Sequence, residues 1–252
     1  MFEMVVFDID GTLTTDRNNI PIRTIKTIKA LKKKGKKVVL ATGRSEVDLK
    51  YILEKTGIDS FIANNGNLIK IKGETIYANH YTKKEVELIK KICKKSNFYF
   101  GLGCNSGIFI PQFKKVYKEY FHEMLNNSKI IFTLPNTTKI ESIIIFAEGN
   151  IKNCFEKLNF DLIPWGERNF DLVRKNNSKA IAIDTIAKTY NIPPLKIACF
   201  GDGINDIEMI KYAGLGVAMG NAVEELKIVA DYVTNSVDND GIYNACKKHN
   251  IF

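Results

Sequence analysis

The chain has 252 residues, 45% hydrophobic and 26% charged, with 37 Lys and Arg against 28 Asp and Glu for a net charge of +9. This length and composition fit one large globular domain or two modest ones with real cores, and no apolar run reaches the roughly 20 residues that span a bilayer. Five cysteines (Cys93, Cys104, Cys154, Cys199, Cys246) lie scattered, without a CxxC pair or a neighbouring histidine, which argues against a disulfide framework and a zinc site.

The chain opens Met1-Phe2-Glu3 and passes directly into an apolar run, so no signal peptide is expected and a cytoplasmic location is the default. Much of the positive charge comes from Lys32-Lys33-Lys34, Lys36-Lys37, Lys90-Lys91 and Lys94-Lys95, which fall at expected helix ends. Lysine there complements the helix dipole and solvates a face, so neither a nucleic-acid nor a membrane partner is expected.

Met4-Val5-Val6-Phe7 is continuous rather than alternating, as in a buried parallel strand, and it runs into Asp8-Ile9-Asp10-Gly11-Thr12. Residues two apart near a strand end share a side, which places Asp8 and Asp10 together. Such a pair repels itself unless a cation or a proton neutralises part of the charge. Gly11 frees the backbone to turn and lets its N–H approach an anion. By itself the pair reads equally well as a solvated turn after a strand.

A helix carrying Ile25, Ile28 and Leu31 and stopped by Gly35 follows, then a second buried strand over Lys37–Ala41. Thr42-Gly43-Arg44 ends that strand, and Ser45 is expected to cap a helix running to Thr56, with Gly57 closing it. Strand, helix, strand and helix with short joints predict right-handed βαβ units and a parallel sheet. Ser60 to Ala63 reads as a third strand, and Leu68–Ile71 with Thr75–Tyr77 as a hairpin around Lys72-Gly73.

The pattern changes after about Asn79. A helix capped by Thr82 carries Val86, Ile89 and Ile92, and short strands are expected near Phe98–Leu102, Ile108–Ile110, Ser142–Phe146, Phe160–Ile163 and Phe170–Val173. Between them an aromatic-rich helix bears Phe113, Val116, Tyr117, Tyr120, Phe121 and Met124. Strands and helices mixed without strict alternation predict an α+β unit.

Alternation resumes at Ser178. A helix from Lys179 to Tyr190, a buried strand over Lys196–Phe200, the turn Gly201-Asp202-Gly203-Ile204-Asn205-Asp206 and a further helix to Ala213 follow. Short strands at Leu215–Ala218 and Tyr232–Thr234 and a last helix from Gly241 complete the chain. The expected fold is therefore a Rossmann-like, doubly wound α/β core from residues 1–80 and 177–252, with an α+β domain inserted over 81–176.

Three strand C-termini thus carry polar residues: Asp8 with Asp10, Thr42 with Gly43, and Asp202 with Asn205 and Asp206. Open parallel sheets bind ligands beyond those ends, so these residues can converge. Hard oxygen donors such as Asp8 and Asp202, without histidine or cysteine, suit Mg²⁺ completed by waters and a phosphate, with Asp206 holding a coordinated water. Thr42 offers a hydroxyl and Gly43 an N–H for phosphate oxygens at a helix start. Lys179 could neutralise developing charge, although alone it reads as an exposed lysine at a helix start.

Asp8-Ile9-Asp10-Gly11-Thr12, Ala41-Thr42-Gly43-Arg44, Lys179 and Gly201-Asp202-Gly203-Ile204-Asn205-Asp206, in this order, resemble the four motifs of the haloacid dehalogenase superfamily of phosphohydrolases. Asn64-Asn65-Gly66, Gly216-Val217-Ala218-Met219-Gly220-Asn221-Ala222 and Ala230-Asp231-Tyr232-Val233-Thr234 are similar to its Cof-type branch, which has a large α+β cap between the second and third motifs. The resemblance implies a Mg²⁺-dependent phosphatase with Asp8 as nucleophile, forming an aspartyl-phosphate, and Asp10 as general acid and then base. With an ordinary pKa of about 3.9, Asp8 is expected to be ionised at neutral pH unaided. The metal ligands implied are Asp8, Asp10, Asp202 and Asp206.

Gly11, Thr42, Gly43, Arg44, Lys179 and Asn205 are the implied phosphate or substrate contacts. Arg174, Lys175, Asn176 and Asn177 read either as polar substrate contacts or as a solvated linker. The expected substrate is a small phosphorylated metabolite, a sugar phosphate or a phosphorylated cofactor, and the protein a monomer or homodimer. A sugar-phosphate-specific phosphatase or a phosphomutase on the same fold is the nearer alternative. A non-catalytic binding or sensor protein is the more distant one, and it predicts a lost motif residue, whereas all are present.

Overall fold

Short runs almost free of polar residues form the strands at the centre of the fold. In the computed structural model, which describes residues 1–15, 19–111, 130–131, 133–135, 139–149, 151–156, 158–165 and 168–252, the elements follow the chain in order. The first stretch contains β1 (Met4–Phe7), α1 (Ile22–Lys33), β2 (Lys37–Ala41), α2 (Lys50–Thr56), β3 (Phe61–Ala63), β4 (Leu68–Ile71) and β5 (Glu74–Ala78). The middle contains α3 (Lys83–Ser96), β6 (Tyr99–Cys104), β7 (Gly107–Phe109), β8 (Ile130–Ile131), β9 (Ser142–Phe146), α4 (Lys152–Phe155), β10 (Phe160–Pro164) and β11 (Asn169–Arg174). The last contains α5 (Lys179–Thr189), β12 (Ile197–Gly201), α6 (Ile207–Tyr212), β13 (Leu215–Ala218), α7 (Glu224–Val229), β14 (Tyr232–Val233) and α8 (Gly241–Lys248).

The chain divides into two compact units, one of Met1–Thr42, Lys50–Tyr77 and Ser178–Phe252, the other of Gly43–Leu49 and Ala78–Asn177. The first unit holds an eight-stranded sheet in the order β14-β13-β12-β1-β2-β3-β4-β5. The six strands from β14 to β3 run parallel, and β4 reverses direction against β3. From β1 the chain moves outward through β2 and β3, then returns on the other side through β12, β13 and β14. Strand order therefore reverses between β1 and β12, the place where such sheets bind ligands. This is a Rossmann-like α/β core.

Apolar residues on both faces of β1 explain its central place, since parallel strands are covered by helices on each side. Met4 and Val6 pack with Ile183, Ile186 and Met209 from α5 and α6, while α1 and α8 lie against each other. The register Phe7↔Phe200 brings the C-terminal ends of β1 and β12 level.

The helix expected after Ser45 starts later. Ser45 Oγ donates to the Asp48 carboxylate at 2.5 Å and the Asp48 N–H donates to the Ser45 carbonyl. That turn winds Glu46–Leu49 as a 3₁₀ segment, and the α-helix covers only Lys50–Thr56. An anion at Thr42–Gly43 thus has no α-helix N-terminus there to use.

In the second unit a six-stranded sheet runs β10-β11-β9-β6-β7-β8, antiparallel except for the β7–β8 pair. Ile89 and Cys93 of α3 and Phe155 of α4 pack with Phe100, Leu102, Ile143 and Ile145 of the sheet. The aromatic-rich helix expected around Phe113–Met124 lies outside the described residues. No helix among the described residues is long and apolar enough to cross a membrane.

Arg174, read from sequence as a substrate contact or a linker residue, is committed within this unit. Its guanidinium donates to both Glu85 carboxylate oxygens, at 3.1 and 3.0 Å, and to the carbonyls of Asn79 and His80, and it lies over the Tyr81 ring. Glu85 in turn closes a capping box with Thr82 at the start of α3. One side chain thus fastens the end of β11 to the segment entering α3. Burial works against the Glu85 carboxylate, but hydrogen bonds from Arg174 and Thr82 outweigh it and hold its pKa below the ordinary 4.5. A depressed carboxyl contributes stability that is present above the unfolded value and lost as pH falls through the folded one. Arg174→Ala is therefore expected to destabilise the protein by about 2 kcal/mol near neutrality, with the deficit shrinking below pH 4.5. Denaturant titrations of both proteins across that range check it; a deficit constant with pH would refute the assignment.

Candidate active site

The β1 strand ends at Phe7, and the Asp8 N–H donates to the Phe200 carbonyl at 2.9 Å, continuing the ladder one residue further. The chain then folds back sharply: the N–H groups of Leu13 and Thr14 both donate to the Ile9 carbonyl. Gly11 makes this turn with φ of +76°, and an added Cβ would stand 2.2 Å from Asp202 Oδ2. The neighbouring Thr12 hydroxyl donates to Asp202 Oδ1 at 2.6 Å. Glycine is needed here for conformation and for space.

The loop after β12 is organised by Asp206. Its Oδ2 accepts from the N–H groups of Asp202 and Gly203, each at 3.0 Å. A Cβ at Gly201 would lie 2.6 Å from the Asp206 Cβ, so only glycine lets this side chain fold over the strand end. The other oxygen, Oδ1, accepts from Lys179 Nζ at 2.6 Å, and the same ammonium donates to Asp8 Oδ1 at 2.6 Å. Ser178, whose hydroxyl accepts from the Ile181 N–H, starts α5 and delivers Lys179 inward. Lys179 is 1% exposed, Asp8 6% and Asp206 0%, so this is a buried charge cluster and not an exposed helix-start lysine.

Electrostatics follow from that burial. Burial raises the Asp8 carboxyl well above its ordinary range; Lys179 opposes the shift, and Asp206, Asp202 and Asp10 add to it. Burial thus works against the ionised form of Asp8 and Lys179 works for it, a balance that nothing in the sequence shows. Burial also lifts Asp202 to about 6 against the hydrogen bond from Thr12. For Lys179 burial favours loss of the proton, but Asp206 and Asp8 more than offset it and hold the ammonium above its usual range.

Asp8, Asp202 and Asp206 each offer a carboxylate oxygen, all within 4.8 Å of one another. Asp10 is outside this group and exposed, near enough to act on Asp8 and Asp202 through its charge. Thr42 is buried at the end of β2, its N–H donating to the Ile62 carbonyl and its carbonyl accepting from Asn65 N–H. Asn205 Nδ2 donates to Asn65 Oδ1 at 3.1 Å. Gly43 and Arg44 belong to the second unit. Thr12, Asn65 and Asn221 were given no role by the sequence reading. The available signal was a hydroxyl or amide beside a glycine just past a strand end.

The donor set fits a hard divalent cation. When all three carboxylates are ionised, one ammonium leaves a local excess of two negative charges for a cation to balance, and the donors are all oxygen. Asp206 has both oxygens engaged, so Asp8 and Asp202 are the better-placed ligands.

A family model described as haloacid dehalogenase-like hydrolase matches residues 5–246. YkrA of Bacillus subtilis, which carries a provisional phosphatase name, is 33% identical over 98% of this chain and 97% of its own. The 5-amino-6-(5-phospho-D-ribitylamino)uracil phosphatase YitU of Bacillus subtilis is 24% identical over 98% of this chain and 97% of its own. A solved subclass IIB sugar phosphatase of the same superfamily superposes with a TM-score of 0.88 at 31% identity, covering 99% of this chain and all of that one.

Removing the ammonium should expose the cost of the buried carboxylates. Without divalent cation, Lys179→Met is expected to lose about 3–5 kcal/mol at neutral pH, as for other broken buried ion pairs. The loss should shrink on acidification, when Asp8 takes up a proton. Urea unfolding at several pH values in a chelator tests this, and a variant as stable as the parent at pH 7 would contradict the charge balance.

Proposed function

This chain belongs to the haloacid dehalogenase-like hydrolases, as a phosphatase of their Cof-type branch, and on that premise we propose that it hydrolyses phosphate monoesters of small polyhydroxylated metabolites through an aspartyl-phosphate on Asp8, with Mg²⁺ as cofactor. The observation that carries this reading is the buried bridge of Lys179 to Asp8 and Asp206, at 2.6 Å each, beside Asp202 at the reversal of strand order.

Asp8 attacks phosphorus through a carboxylate oxygen, and the bond from phosphorus to the leaving alcohol oxygen breaks. Asp10, exposed beside the site, donates the proton that the departing alkoxide takes. Asp10 then removes a proton from water, whose oxygen attacks the phosphorus of the aspartyl-phosphate, releasing inorganic phosphate and restoring the Asp8 carboxylate. Lys179 orients Asp8 and offsets charge on the phosphoryl oxygens, and the Thr42 hydroxyl contacts one of them. Mg²⁺ held by Asp8 and Asp202 would supply charge neutralisation between the nucleophile and the phosphate, and would favour both carboxylates in ionised form. Because Asp202 holds a proton below about 6, cation binding should weaken below that pH. The inserted second unit is assigned the cap's part, excluding water and selecting the leaving group.

The names of two relatives support this substrate class. One acts on a sugar phosphate and another on a phosphorylated ribityl chain; common to both is a phosphate on a polyhydroxylated carbon chain. A panel of sugar and sugar-alcohol phosphates, nucleotides and p-nitrophenyl phosphate with Mg²⁺ tests this, with chelator as a control. Asp8→Asn is expected to fall to background on every ester. Asp10→Asn should lose about 10²–10⁴-fold on alkyl phosphates and much less on p-nitrophenyl phosphate, whose leaving group needs no proton. Equal losses on both would remove Asp10 from the proton transfer, and turnover by Asp8→Asn would remove the nucleophile.

A further inference from the structure

Asn221 lies in the turn after β13 and is placed to control the loop that carries Asp10, Gly11 and Thr12. Its Nδ2 donates to the Gly11 carbonyl at 2.8 Å, and its Oδ1 accepts from the Val237 N–H at 3.0 Å. The two bonds need a donor and an acceptor on one short side chain, so the amide has a single orientation. The turn is rigid: Ala222 N–H donates to the Met219 carbonyl, Gly220 N–H to the Asn235 carbonyl, and a Cβ at Gly220 would stand 2.6 Å from Ser236 N. From the same turn, Val223 N–H donates to the Asp202 carbonyl at 3.0 Å.

One five-residue stretch, Met219 to Val223, thus grips both halves of the site. The Asn221 side chain holds the backbone of Gly11, and the Val223 N–H holds the backbone of Asp202. Between these grips Gly11 rests against the Asp202 carboxylate, and Thr12 hydrogen-bonds it at 2.6 Å. A shift of the Gly11 peptide would therefore turn the Asp202 carboxylate. The Asn221 amide is exposed to solvent, so its bonds compete with water and add little to global stability. Their consequence is geometric.

We propose that Asn221 is a positioning residue for the cation site, holding the Gly11 turn so that the Asp202 carboxylate is kept where it can share a divalent cation with Asp8. This rests on the reading of Asp8 and Asp202 as ligands given above. Groups that orient metal ligands from behind typically change affinity by about 10–100-fold when removed.

The test is Mg²⁺ titration by calorimetry of the full chain, the Asn221→Ala variant and the Val237→Pro variant. Val237→Pro removes the N–H that anchors the Asn221 amide and leaves the amide itself in place, at the cost of reshaping one buried side chain; Ser236 is already extended, with φ −64° and ψ 166°, as a residue before proline requires. Asn221→Ala is expected to bind Mg²⁺ about tenfold more weakly, with Val237→Pro between it and the parent. The thermal midpoint in chelator should stay near that of the parent, and turnover should be regained by raising Mg²⁺. Mg²⁺ affinity of Asn221→Ala within about twofold of a parent that does bind would overturn the inference and leave the cation reading standing. A parent that binds no Mg²⁺ would overturn both. Should Asn221→Ala fail to fold, an unchanged affinity in Val237→Pro decides against the inference.

Discussion

A lysine ammonium held between two carboxylates, all three shielded from water, sets the terms for the rest of this structure. Taking such ions out of water is unfavourable by several kcal/mol each, and their attraction compensates only when geometry is good and spare lone pairs are satisfied. Lys179 meets Asp8 and Asp206 at 2.6 Å each, and Asp206 also accepts two backbone N–H groups. With Asp206 so committed, its task is to hold Lys179 and shape the Asp202 loop. Asp8 and Asp202, each with one oxygen free of Lys179 and Thr12, are left as the pair on which the proposed chemistry turns.

The sheet makes that cluster obtainable from residues far apart in sequence. Asp8 and Lys179 are separated by 171 positions, yet the in-register pairing of β1 with β12 sets Asp8 and Gly201 side by side, one step past the last paired residues Phe7 and Phe200. Two glycines then decide how closely the loops approach. Gly11 lets one loop lie on the Asp202 carboxylate, and Gly201 lets Asp206 fold across the strand end. Parallel pairing supplies the coarse alignment and the missing Cβ atoms the fine one.

Much of this was legible in the sequence, and the reasons are specific. Met4–Phe7, Lys37–Ala41 and Lys196–Phe200 are too continuously apolar for anything but buried strands, and the structure has them adjacent as β1, β2 and β12. The polar residues directly after them had no packing reason to be there. Local pattern failed where a short-range contact competed: the Ser45–Asp48 hydrogen bond replaces the first helical turn with a 3₁₀ segment. Long-range partners were illegible in principle. Nothing near Arg174 announces Glu85, 89 positions away. Nor does anything around Asp8 reveal the burial that raises its pKa.

That last difference bears on mechanism. A nucleophilic carboxylate needs its charge, whereas a dry site disfavours it. An exposed aspartate would be ionised without help, but water would screen it and compete for the phosphorus. Burial with a fixed lysine gives another balance: the carboxylate is desolvated, and its ionised form depends on the ammonium and on whatever cation joins it. Coulombic interactions strengthen as water is excluded, so the same burial that raises the pKa of Asp8 also strengthens the hold of Lys179 upon it. In the proposed mechanism, reactivity at Asp8 is therefore conditional. It requires an intact Lys179–Asp206 pair beneath it, and Asp10 stands at the exposed edge of the same turn, where protons can be exchanged with solvent.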